Sequence, residues 1–79
     1  MQGDWLTAVE MWEKVAQEAS SKSLRSKAQL NVALGYEILG DVDQAIEWAL
    51  MSYETMYRPL TYEYLETLKR RKNELTRPR

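Results

Sequence analysis

The sequence predicts an all-α protein of four helices, and three observations lead there. Apolar residues recur at three- and four-residue spacing through most of the chain. Break signals cluster at three places: the serine-rich stretch Ser20–Ser23, the pair Gly40-Asp41, and Arg58-Pro59. The stretch GDVDQAIEWA, Gly40 to Ala49, repeats GDWLTAVEMW, Gly3 to Trp12, with agreement at Gly3/Gly40, Asp4/Asp41, Ala8/Ala45, Val9/Ile46 and Glu10/Glu47, each pair 37 residues apart. A repeat so close within 79 residues predicts a helical unit used more than once.

The first helix is expected over about 4–19, with Trp5, Ala8, Val9, Trp12, Val15, Ala16 and Ala19 on one stripe and Asp4 as N-cap just after Gly3. The serines that follow form a turn and supply N-cap candidates for the next helix. That helix covers about 24–39 and turns Leu24, Ala28, Val32, Ala33, Tyr36 and Leu39 inward. Gly40 ends it by taking the left-handed conformation, and Asp41 caps the third helix with Gln44 placed for a capping box. So short a joint forces an antiparallel hairpin.

The third helix, about 42–57, presents Val42, Ala45, Ile46, Ala49, Leu50 and Tyr53, its alanines allowing close approach of a neighbour. Pro59 disfavours helical geometry at Arg58 and suits a first helical turn. The fourth helix, about 60–75, carries Leu60, Tyr64, Leu65, Leu68 and Leu75.

Composition narrows the function. The chain is 44% hydrophobic and 29% charged with net charge −1, so no bulk field calls for a polyanionic partner. It has no cysteine and no histidine, which removes thiolate chemistry, the commonest general base and the commonest transition-metal ligand. No apolar run approaches the roughly 18 residues of a membrane span, and membrane insertion is not expected. Glu10, Glu13, Glu47 and Glu54 fall on solvated faces with no pocket to shift their acidity, so no enzyme is expected. Asp41, Asp43 and Glu47 lack the ligand spacing of a calcium loop and are read as capping and helix-dipole residues. No metal and no cofactor are expected. The basic run Lys69–Lys72 points around the whole helix, and the third segment carries compensating negative charge, so the run is read as a solvated face and not as a nucleic-acid site.

The Gly-Asp hairpin and its period are similar to the tetratricopeptide repeat family, of about 34 residues per unit. The match is best over Ala28 to Tyr57, where Ala33, Tyr36, Gly40, Asp41 and Ala45 stand at motif spacing; Gly3 and Ala8 begin the earlier copy. The sequence departs from the motif at Gln29, where an aromatic is usual, at Ser52, where alanine is usual, and at Tyr57, where the closing proline would fall. The resemblance implies a single domain over 1–79, an antiparallel helix-hairpin solenoid in a right-handed superhelical stack: a half repeat at 4–20, a full repeat at 24–57 and a capping helix at 60–75. A narrower resemblance, carried by GDW, by N.AL.YE..GD.D.AIEWA and by LKRRK, is to an uncharacterised bacterial cell-envelope family, implying a periplasmic or envelope location; without it the expectation is cytoplasmic.

In tetratricopeptide arrays the first helix of each repeat lines a peptide groove. That places a protein or peptide ligand of unknown identity on Lys27, Leu30, Asn31, Leu34, Glu37 and Ile38, the face of the second helix opposite its buried stripe. The alternative is a structural or oligomerisation segment with no ligand of its own. The aromatics Trp5, Trp12, Trp48, Tyr36 and Tyr53 are expected mainly in the core, with Trp48 partly exposed. The chain is further expected to be the C-terminal end of a longer solenoid. Its first helix would then either tuck Trp5 and Trp12 against the second and third, the expected outcome, or self-associate weakly through that flank.

Overall fold

The computed structural model describes residues 2–76, with side chains from Asp4 onward. Four helices account for almost all of them: α1 (Gln2–Glu18), α2 (Lys22–Ile38), α3 (Val42–Thr55) and α4 (Pro59–Thr76). There is no strand among the described residues. Each helix packs on the next, α1 on α2, α2 on α3 and α3 on α4.

The joint between α2 and α3 has the geometry its residues predict. Gly40 has φ of 88°. Its amide donates to the Glu37 carbonyl at 3.0 Å and the Asp41 amide donates to the Tyr36 carbonyl at 2.9 Å, the two bonds of a Schellman closure. The Asp41 carboxylate then accepts from the Gln44 amide at 3.1 Å and caps α3. The expected capping box forms only by half, because the Asp41 amide that Gln44 would have reached is already given to Tyr36.

Other boundaries differ from expectation in instructive ways. Helix α1 starts at Gln2, so Asp4 lies in its first turn instead of capping it, and Gly3 is helical. Among the described glycines only Gly40 has a positive φ. Helix α2 begins at Lys22, capped by the Ser21 hydroxyl, which accepts from the Leu24 amide at 3.1 Å. Helix α3 stops at Thr55 and not Tyr57, and Pro59 opens α4 as expected.

The core is built from small residues. Ala33, Ala45, Ala49, Leu65 and Leu68 form its buried centre, with Tyr36, Val42, Ile46, Trp48 and Tyr64 packed around them. Where α2 meets α3, the Ser26 and Ser52 hydroxyls lie 3.0 Å apart, and each donates to the other residue's carbonyl, at 3.1 and 2.8 Å. One turn on, the Thr55 hydroxyl donates to Gln29 Oε1 at 2.7 Å. Two departures from the repeat motif, Gln29 and Ser52, thus take part in the same seam of hydrogen bonds. Buried hydroxyls held this way avoid the roughly 1–3 kcal/mol cost of an unpaired polar group.

Helix α1 approaches α2 at Gly35. A Cβ at Gly35 would overlap Cγ2 of Val9, which is buried and stiff at its branched carbon. The molecule measures 46 × 31 × 14 Å, a thin slab that leaves each helix wet on its broad faces. Several residues expected inside are therefore outside: Leu24 and Leu50 are exposed, and Leu60 and Leu75, on the two ends of α4, are 77% and 71% exposed. Trp5 (44% exposed) and Trp12 (38%) are not tucked against α2 and α3; they stand at the edge of α1, because the close contact there is made by Val9 on Gly35. Trp48 is half-buried, as expected.

The two glycines should respond differently to alanine. At Gly40 the added Cβ meets open space, so the cost is backbone strain alone, about 1 kcal/mol. At Gly35 overpacking should cost about 1–3 kcal/mol. Denaturant unfolding should show Val9→Ala relieving much of the Gly35→Ala penalty and none of that from Gly40→Ala.

Candidate functional site

One side of α2 is packed against its neighbours and the other stays open. Ser26, Ala28, Gln29, Val32, Ala33 and Gly35 are buried. Asn31, Leu34 and Ile38 fall on the free side, at positions i, i+3 and i+7 of one stripe. Facing them on α1 are Trp5, Ala8, Val9 and Trp12, which share the i, i+3, i+4, i+7 spacing. Because Gly35 lets the helices come close at one point while the tryptophans stand out at the edge, an open groove of about 310 Å³ is left between them.

The groove is mostly apolar. Leu34 is 40% and Ile38 54% exposed, and with the two indoles they offer a larger hydrophobic face than a scatter of single residues. Asn31 supplies a side-chain amide at one end, able to donate and accept.

The six candidates from sequence therefore divide. Asn31, Leu34 and Ile38 are brought together in the groove; Lys27 and Leu30 do not line it. Glu37 faces α4 instead, where its Oε1 accepts from the Tyr64 hydroxyl at 2.7 Å and its Oε2 pairs with Arg71. Its carboxylate is a tie between α2 and α4. Sequence reasoning left Trp5 and Trp12 off the site because it assigned them to the core; their signal was the shared i, i+7 spacing on one edge of α1.

Beside the groove, the Tyr36 hydroxyl donates to Glu13 at 2.9 Å and joins α2 to α1. Burial, helped by that carboxylate, raises the Tyr36 pKa above its usual value. Among the described residues no group of acids is placed to hold a metal. The basic run on α4 is tied to its neighbours: Lys69 to Glu66 at 3.4 Å, Arg71 to Glu37, and Lys72 to Asp43 at 2.7 Å. Among the described residues no helix is long and apolar enough to cross a membrane.

Burial pushes the Tyr64 pKa up to about 12 from 10.0. In the unfolded chain the phenol loses its proton near pH 10, while the folded chain holds it longer, so this stabilisation is complete below pH 10 and is lost as pH rises towards 12. Tyr64→Phe should flatten the fall of thermal stability over that window, measured by melting at stepped alkaline pH.

No curated protein and no solved structure matches the chain. Over residues 1–70 it matches the model of a domain of unknown function, DUF6340, and the chain belongs to that family.

Proposed function

We propose that this chain is a non-catalytic protein-interaction module of tetratricopeptide type, which holds a peptide or protein segment in the groove between α1 and α2. The observation that carries the reading is the groove itself: two helical stripes of matched spacing, with Trp5, Trp12, Leu34 and Ile38 left exposed along it. Supporting the repeat reading are the left-handed Gly40, the Asp41 cap and the packing of each helix on the next.

The recognition expected there is simple. Apolar side chains of the ligand replace water on the indoles and on Leu34 and Ile38, at roughly 25 cal/mol per Å² of apolar surface removed from water. The Asn31 amide takes a backbone group and sets the ligand's register. Aromatic anchors of this kind dominate interface energetics, so Trp12 should matter more than its neighbours.

Selection of displayed random peptides against the whole chain, followed by NMR titration of the chain with a selected peptide, tests the proposal. Shifts should centre on Trp5, Asn31, Leu34 and Ile38, and Leu34→Glu should weaken binding at least tenfold while leaving the melting temperature within a few degrees. Failure to select any binder, or shifts lying elsewhere, would favour the structural role.

A further inference from the structure

We draw no further inference here: the strongest candidate, the surface cluster of Tyr53, Tyr57 and Tyr62 where α3 turns into α4, is an unpartnered aromatic face, and nothing in the structure shows what covers it.

Discussion

The structure depends on how little chain connects α2 to α3. With Gly40 at φ of 88°, its amide and that of Asp41 bond back to α2 while the Asp41 carboxylate caps α3, and no longer loop is needed. That shortness makes the two helices antiparallel and brings the start of α2 to the end of α3, where Ser26 meets Ser52 and Gln29 meets Thr55. Close approach in turn requires small side chains, which Ala33, Ala45 and Ala49 provide. Arg58 closes the far end, its guanidinium donating to the Ser23 hydroxyl at 3.1 Å. The outer helices then attach to a hairpin already formed, α1 through Val9 on Gly35 and α4 through Leu65, Leu68 and the Tyr64–Glu37 bond.

Much of this was legible in the sequence, for reasons that are local. A glycine after an apolar stripe, an aspartate after the glycine and a proline after Arg58 act through backbone geometry, which neighbours along the chain decide. What depends on the third dimension was not. Periodicity places Leu60 and Leu75 on the inner stripe of α4, but among the described residues none covers either end of it. Ser26, Ser52 and Thr61 are buried although their hydroxyls read as surface. Only their partners across the hairpin make Ser26 and Ser52 tolerable; among the described residues Thr61 alone keeps a buried side-chain oxygen without a hydrogen-bond partner.

The site was half legible for the same reason. Spacing identified the free side of α2, and Asn31, Leu34 and Ile38 lie there together. It could not show that Glu37 would turn to Tyr64 and Arg71 on a helix far along the chain, nor that a close contact at Gly35 would hold the tryptophans of α1 outward. A thin slab of helices cannot hide every large apolar side chain, and every helix leaves some of them exposed. Trp5, Leu6, Met11 and Trp12 are all exposed on α1, while the centre of α3 is sealed on both sides. The two similar stretches thus differ in their surroundings: Ala45 and Ala49 lie in the buried centre, while Trp5 and Trp12 line the open groove.

Native-state hydrogen exchange tests the central claim, that the α2–α3 hairpin is the stable unit and α1 its less secured neighbour. The account predicts that amides of residues 28–36 and 45–53 exchange only through global unfolding, and that those of residues 5–12 open at lower free energy. Equal protection of residues 5–12, or opening of α2 and α3 before α1, would contradict it.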